Sequence, residues 1–313
     1  MPLEDLSART QHWLHHFQQS RTPCWKRAAY WLARPVLDLS ARPNLSPEFR
    51  ALPHLSRVLY SRGFPTESRH SWVEKWARVV GSDVLVLGTG SGWDVVDWSG
   101  RKPRRIVAID LSSFSTAWRQ IGAHLERTAR VRPSFLVGRL ELLPLSDVVV
   151  DLAVSDAVFE HCQALDAVVR ETFRVLRPGG YVYAGYGPLW YSYGGDHFAG
   201  RGGLTHGFSH LELPPADYRE YVRQYRTDDE DTQAGIRFID LDLFSRLTTR
   251  QYLTSFEQAG FDIVDLVLEL SIEALRFRRT WPRRFERIVT TNVHLMPDDL
   301  IIKANLVILR KPP

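Results

Sequence analysis

The sequence predicts a doubly wound α/β fold, a mostly parallel sheet with helices on both faces. Three observations predict it. Short apolar runs alternate with helical stretches, the pattern of strands buried on both faces and joined by crossover helices. The first clear run, Val84-Leu85-Val86-Leu87, passes directly into Gly88-Thr89-Gly90-Ser91-Gly92. The next run, Ile106-Val107-Ala108-Ile109, ends in an acid, Asp110.

Taken in chain order, residues 1–80 read as helices and loops forming a cap. Trp13, Leu14 and Phe17, then Trp25, Ala28, Ala29 and Leu32, recur at helical spacing. Pro35, Pro43, Pro47 and Pro53 punctuate the segment. Thr66 and Ser68 suit the N-cap of a helix carrying Trp72, Val73, Trp76 and Val79, which ends at Gly81. A nucleotide-type core then spans 81–187. After the glycine turn comes a helix over Ser91–Trp98, the Asp110 strand and a helix over Ser113–Ala129. Strands at Phe135–Val137 and Val148–Ser155, a helix at Ala164–Leu176 and a strand at Tyr181–Ala184 complete the core.

Residues 188–245, rich in Gly, Tyr and His and then charged, break the alternation. The stretch is too long for a simple connection and reads as a lid or substrate-pocket insertion. Residues 246–313 complete the sheet. A helix over Thr249–Ala259 is closed by Gly260. A strand at Phe261–Leu270 follows, then a last strand region at 300–309.

Composition narrows the function classes. The longest apolar stretch, Val148–Val158, is interrupted by Asp151 and Asp156, so it is too short and too charged to span a bilayer. The N-terminus has acids and no apolar leader core. Only Cys24 and Cys162 are present, which fits a reducing compartment, so a cytoplasmic protein is expected. No CxxC or Cys/His ligand set is visible, and no metal is expected. His12, His15 and His16 share a helix face but lack a completing acid or Cys, and read as a solvated face.

A formal charge of +4 is too mild for a nucleic-acid footprint. The one stretch that would suit RNA is Arg276, Arg278, Arg279, Arg283, Arg284 and Arg287, interleaved with Phe277, Trp281 and Phe285. Arginine replaces lysine along the whole chain, so this enrichment need not be local. Lysine occurs only at 26, 75, 102, 303 and 311. Its absence from 103–302 removes Schiff-base chemistry and any lysine base from the central region.

The glycine turn allows backbone amides to approach a ligand without a Cβ in the way. A dinucleotide fingerprint would need G-x-G-x-x-G. Here the third Gly comes one place early, Trp93 takes the dinucleotide position, and no Tyr-x-x-x-Lys pair exists. Asp110 suits either ligand class, since a carboxylate there can accept both ribose hydroxyls. The spacing and the missing lysine favour S-adenosylmethionine over NAD.

Together these segments resemble the class I S-adenosylmethionine-dependent methyltransferases, more narrowly the methyltransferase type 11 group. VLVLGTGSG (84–92) and VAIDLS (107–112) resemble its first two motifs. VGRLELLPL (137–145) resembles the adenine-side loop, and VVVDLAVSDAVFEH (148–161) the fourth strand with its substrate-facing residues. RVLRPGGYV (174–182), PLWYSYGGDHF (188–198) and TTRQYLTSFEQAGF (248–261) are similar to later parts.

The resemblance covers about residues 80–270. It implies a Rossmann-like, seven-stranded sheet and S-adenosylmethionine as cofactor. It also implies that Gly88, Thr89, Gly90 and Gly92 form the cofactor turn, with Asp110 on the ribose and Leu111 on the adenine. Leu140 and Glu141 would border the adenine edge, and Ser155 the amino acid end. Two positions depart from the family. Val86 stands where an acid is usual two residues before the first Gly, and Arg139 where the adenine loop usually carries an acid.

Methyl transfer from a sulfonium needs alignment, exclusion of water and, for some acceptors, a base. The candidate catalytic residues are Asp156, His161, Tyr191 and His197. Asp156 reads equally well as a helix N-cap, and His161 as a helix-start histidine. His206 and His210 read as loop polarity. Tyr186, Trp190 and Tyr193 follow the fifth strand, where ligands bind in such sheets, and are the candidate substrate-binding residues. The expected activity is methyl transfer to a small or medium organic acceptor. The alternative is a cofactor-consuming cyclisation without transfer, of the azetidine-carboxylate-forming kind, with RNA methylation a weaker reading. Oligomeric state is not legible.

Overall fold

The computed structural model describes residues 24–61, 66–129, 131–198, 202–226 and 230–313. Trp13, Leu14, Phe17 and the three N-terminal histidines therefore lie outside the described residues, as do the side chains of Thr66 and Ser68.

Eight strands form one sheet. They are β1 (Leu55–Tyr60), β2 (Asp83–Leu87), β3 (Arg105–Asp110), β4 (Ser134–Val137), β5 (Val150–Asp156), β6 (Leu176–Tyr186), β7 (Asp262–Leu270) and β8 (Ile302–Arg310). Their order is β1-β7-β8-β6-β5-β2-β3-β4. From β4 to β6 every pairing is parallel, whereas β8 runs antiparallel between β6 and β7. The order reverses beside β2, whose neighbours are β5 and β3. Ligands bind at such a switch point, beyond the carboxyl ends of the strands.

The helices used here are α1 (Cys24–Ala41), α2 (Thr66–Val73), α3 (Trp93–Ser99), α4 (Ser115–Thr128) and α5 (Leu165–Val175). Then come α6 (Pro215–Gln224), α7 (Glu230–Asp240), α8 (Thr249–Gln258), α9 (Ile272–Thr280) and α10 (Pro282–Thr291). All five residues of β2 are buried, and they divide by alternation. Leu85 and Leu87 join a core with Val168 and Val169 of α5 and Phe256 of α8. Val84 and Val86 join a second core with Trp72 of α2, Trp98 of α3 and Ile121 of α4. This two-sided burial explains why the strand sequences are apolar runs and not alternations.

Three expectations are corrected. The sheet has eight strands, not seven. The extra one, β1, lies in the segment read as helices and loops and pairs parallel with β7. Its Leu-Ser-Arg-Val-Leu-Tyr sequence buries only Val58 and Leu59 deeply, so its strand character comes from pairing and not from a visible period. The helix read to Gly81 stops at Val73, leaving Trp76 40% exposed. Finally, Leu300 and Ile301 are helical, and β8 starts at Ile302.

The helix closed by Gly260 behaves as its sequence indicates. Thr248 and Gln251 form a reciprocal capping box at the start of α8, and Gly260 takes φ +96° after its end. The 188–245 insertion carries α6 and α7 over a small core of Phe198, Tyr221 and Ile236. No helix among the described residues is long and apolar enough to cross a membrane.

Candidate active site

The glycine turn is tied to the end of β3. Gly88 and Thr89 donate their N–H groups to the Ile109 carbonyl, at 2.8 and 3.0 Å. Gly90 donates to Asp110 Oδ2 at 2.7 Å, and Ser112 donates to Asp110 Oδ1 at 2.9 Å. The indole of Trp118 donates to the Gly90 carbonyl at 2.8 Å. The Asp110 carboxylate is therefore fixed before any ligand arrives, with lone pairs to spare.

Two glycines here are needed for opposite reasons. Gly88 has φ +69°, and a Cβ on it would lie 2.3 Å from the Val158 side chain. Gly90 has φ +51°, and a Cβ on it would meet nothing within 4 Å. The space above Gly90 is a crevice wall without a side chain. Beside it, Thr89 Oγ1 is buried with no partner, and Leu111 is 62% exposed. An orphan hydroxyl, a fixed carboxylate and an exposed apolar side chain around one turn suit a nucleoside.

A carboxylate cluster flanks this crevice. His70, on α2, is fully buried; its Nε2 lies 2.7 Å from Asp156 Oδ2, and its Nδ1 bonds Asp97. Tyr183 donates to Asp156 Oδ1 at 2.6 Å. Burial alone would lower the His70 pKa, but Asp156 and then Asp97 raise it to about 9. Burial would raise the Asp156 pKa, but His70, Tyr183 and Arg69 hold it below the ordinary value. Burial, then repulsion from Asp156, pushes nearby Asp94 up to about 7. Val86, where the family usually has an acid, is buried in the core, and the nearby carboxylates come from Asp94 and Asp97 of α3 and Asp156 of β5.

A second cluster lies past β5. Glu160 is 2% exposed. Its Oε1 accepts from the Gly187 N–H at 2.9 Å, while Oε2 is buried without a partner. Burial pushes its pKa up to about 8. His161 Nδ1 donates to the Leu243 carbonyl at 2.7 Å, and its ring stacks on Phe238 of α7, 4.1 Å between centroids. His197 bonds the Pro188 backbone, while its Nε2 is buried and unpartnered. Burial lowers the His197 pKa to about 3, with His161 and Lys303 adding to the effect.

The remaining sequence candidates divide. Ser155 is buried, its Oγ 3.5 Å from the Leu87 carbonyl. Gly92 begins α3 at φ +96°. Leu140 is 9% exposed within the core, and Glu141 pairs with Arg139 at 3.2 Å on the surface. Asp156 is not an N-cap: it ends β5, with both oxygens bonded to protein groups. Tyr186 is 2% exposed and packs on Tyr252 at 4.5 Å; Tyr193 donates to the Leu204 carbonyl at 3.3 Å. Both are core residues. Trp190 is half-buried against Phe244, with the Arg246 guanidinium 4.8 Å over its ring. Tyr191 is half-buried beside His294, 5.3 Å between rings.

Glu160, His161 and His197 place one ligand atom each within 4.8 Å of one another. Sequence reasoning quoted the Glu160-His161 pair but took only the histidine. It also passed over His70, Asp94 and Asp97. Asp94 directly follows the glycine turn and could have been found from that spacing, whereas His70 reaches the site only through tertiary packing.

Residues 85–184 match the family model described as "Methyltransferase domain". The core from β2 to β6 is thus similar to methyltransferase domains. The matched residues run from β2 to β6 and contain the glycine turn, Asp110 and Glu160-His161. A malonyl-[acyl-carrier protein] O-methyltransferase of Yersinia pestis is 30% identical over 116 residues, 37% of this chain and 40% of that protein. An arsenite methyltransferase of Aquipseudomonas alcaligenes is 33% identical over 114 residues, 33% of this chain and 32% of that one. A solved S-adenosylmethionine-dependent methyltransferase of Mesorhizobium loti aligns at TM-score 0.47 and 16% identity, over 78% of this chain and 98% of its own. The chain thus spans about two fifths or less of the length of these curated relatives, whose names specify different acceptors.

In the arginine-rich α9 and α10, two of the three interleaved rings present no open stacking face. Phe277 and Phe285 are buried, and Arg284 is held by Glu212 at 2.7 Å. A cavity of about 460 Å³ beside Arg276, Arg278 and Arg279 shares no lining residue with the glycine turn.

Proposed function

We propose that the chain transfers the methyl group of S-adenosylmethionine to a small or medium-sized organic acceptor. The observation that carries this reading is the Asp110 carboxylate, fixed by the Gly90 and Ser112 N–H groups beside the open space over Gly90. Gly88, Thr89 and Gly90 would line the methionine part, with Thr89 Oγ1 offered to a polar atom of the ligand. Asp110 would accept ribose hydroxyls, Leu111 would pack on the adenine, and Leu140 and Glu141 would border its edge. Ser155 would sit at the amino acid end.

When bound, the cofactor supplies a methyl group already activated by its sulfonium. The protein's part is to align the acceptor and keep water out. The insertion is suited to that: α7 sets Phe238 against His161 and brings Gly235 against the His197 backbone. Glu160, His161, His197 and the half-buried Trp190 and Tyr191 would receive the acceptor. Asp156, held by His70 and Tyr183, would shape the crevice without touching the acceptor.

The test is product analysis on a panel of phenols, carboxylic acids and amines, preceded by calorimetry with the cofactor. S-adenosylhomocysteine formed only with an acceptor supports methyl transfer. Methylthioadenosine formed without any acceptor indicates intramolecular cyclisation and contradicts it, as does failure to bind the cofactor.

A further inference from the structure

We propose that Glu160, His161 and His197 bind a divalent first-row transition cation, and that this cation holds an ionisable oxygen of the acceptor. The second half rests on the methyl-transfer reading; the first stands without it.

Three features carry the proposal. The first is the set of vacant ligand atoms. Glu160 Oε2 and His197 Nε2 are both buried without partners. His161 Nε2 is left available because Nδ1 is committed to Leu243. A native structure rarely leaves one buried polar atom unsatisfied, at a cost of about 1–3 kcal/mol each. Here the three residues converge, one ligand atom of each lying within 4.8 Å of the others. Around a cation with bonds near 2.1 Å, ligand atoms sit about 3–3.4 Å apart, so a side-chain adjustment of roughly 1 Å closes the site.

The second feature is how the imidazoles are held. Each uses one ring nitrogen on the backbone, His161 at Leu243 and His197 at Pro188. Metal-binding histidines are oriented in this way by outer-shell acceptors, which fix the tautomer and free the other nitrogen. His197 also adopts φ +58°, a left-handed conformation that costs a non-glycine residue energy and persists where its surroundings impose it.

The third is chemistry and place. Two imidazoles and one carboxylate suit Zn²⁺, Fe²⁺, Mn²⁺ or Co²⁺, whereas Ca²⁺ and Mg²⁺ prefer oxygen ligands. Three protein ligands leave coordination positions open, the arrangement of sites that act on a bound molecule. The cluster adjoins the crevice, since Val158, two residues before Glu160, is the side chain a Cβ on Gly88 would strike. Glu160 is the one anionic ligand of the three, so a divalent cation held there keeps net positive charge. That charge selects an oxygen that ionises, a carboxylic acid or a phenol. The cation would lower the pKa of that oxygen, the proton would pass to water, and the resulting oxyanion would be the nucleophile.

Titration of the chelator-treated full chain with Co²⁺, followed by its visible d–d absorption, tests this. The expected result is saturation at one equivalent. His197→Ala and Glu160→Gln should each weaken binding beyond the ~10–100-fold that loss of an outer-shell partner costs. Cofactor affinity should stay near wild type in both variants, and a cooperative thermal melt of each shows that it folds. No Co²⁺ absorption in the wild type, or absorption unchanged in both variants, overturns the site. If Co²⁺ binds but neither a phenol nor a carboxylic acid perturbs its bands, the acceptor half falls. If Co²⁺ binds and the cofactor does not, the methyl-transfer reading fails while the metal site stands.

Discussion

Two histidine clusters flank the carboxyl end of β5, and they are built in opposite ways. Both nitrogens of His70 meet carboxylates, from Asp97 and Asp156, and the imidazolium is favoured. His197 has one nitrogen on a backbone carbonyl and the other buried and empty, and its neutral form is favoured. The first cluster joins α2 to α3 and β5, alongside Arg69–Glu269 at 2.9 Å and Trp72–Asp265 at 2.8 Å. Its central atoms, both nitrogens of His70 and both oxygens of Asp156, are partnered. The second leaves Glu160 Oε2 and His197 Nε2 without partners. Burial is similar in the two histidines, so partners, and not burial, separate them.

The largest expected effect breaks the satisfied cluster. His70→Leu leaves the Asp97 and Asp156 carboxylates without their cation and should cost about 3 kcal/mol or more in urea unfolding. His197→Ala loses one bond to the backbone and the ring contacts with Phe238 and Phe244, but no bond of Nε2, and should cost less, about 1–2 kcal/mol. Equal losses in the two variants would erase the distinction.

The second effect is a pH dependence. The His70 pKa is raised in the folded state, from an ordinary 6.5 to about 9. Its stabilisation is therefore complete below about pH 6.5 and is lost as the pH rises through about 9. Wild-type stability should fall across that window, by roughly 3 kcal/mol from this group. The fall should shrink in His70→Leu, which denaturant midpoints at a series of pH values would show.

How much of this was legible in the sequence follows from where each signal resides. The buried strands, the glycine turn, Asp110 and the close of α8 at Gly260 are local patterns, and each is where its residues indicate. Strand β1 was not legible, because six residues at a sheet edge carry too little period and owe their conformation to β7. The same holds for His70, whose role exists only once α2 is laid across β5. Tyr186 and Tyr193 read as pocket aromatics because they follow β6, yet β6 runs on to Tyr186 and buries it. The orphaned state of Glu160 and His197 cannot be read from any residue string, since it is a statement about what is missing around them.

A smaller pair of effects separates the two glycines. Gly88→Ala puts a methyl into Val158 at a positive φ and should cost about 1–3 kcal/mol of stability as well as cofactor affinity. Gly90→Ala, at a positive φ but in open space, should cost about 1 kcal/mol in stability. It should nevertheless weaken cofactor binding, because its methyl fills the crevice. Urea midpoints and calorimetry on both variants would show stability and binding moving together at Gly88 and apart at Gly90.

The most direct measurement is a calorimetric titration of wild type and Asp110→Ala with S-adenosylmethionine. The account predicts one site per chain in the wild type. In Asp110→Ala it predicts affinity lower by at least ~10-fold, the equivalent of about 1.4 kcal/mol for the lost charge-assisted hydrogen bonds. No heat of binding in the wild type, or equal affinity in the two proteins, would contradict it.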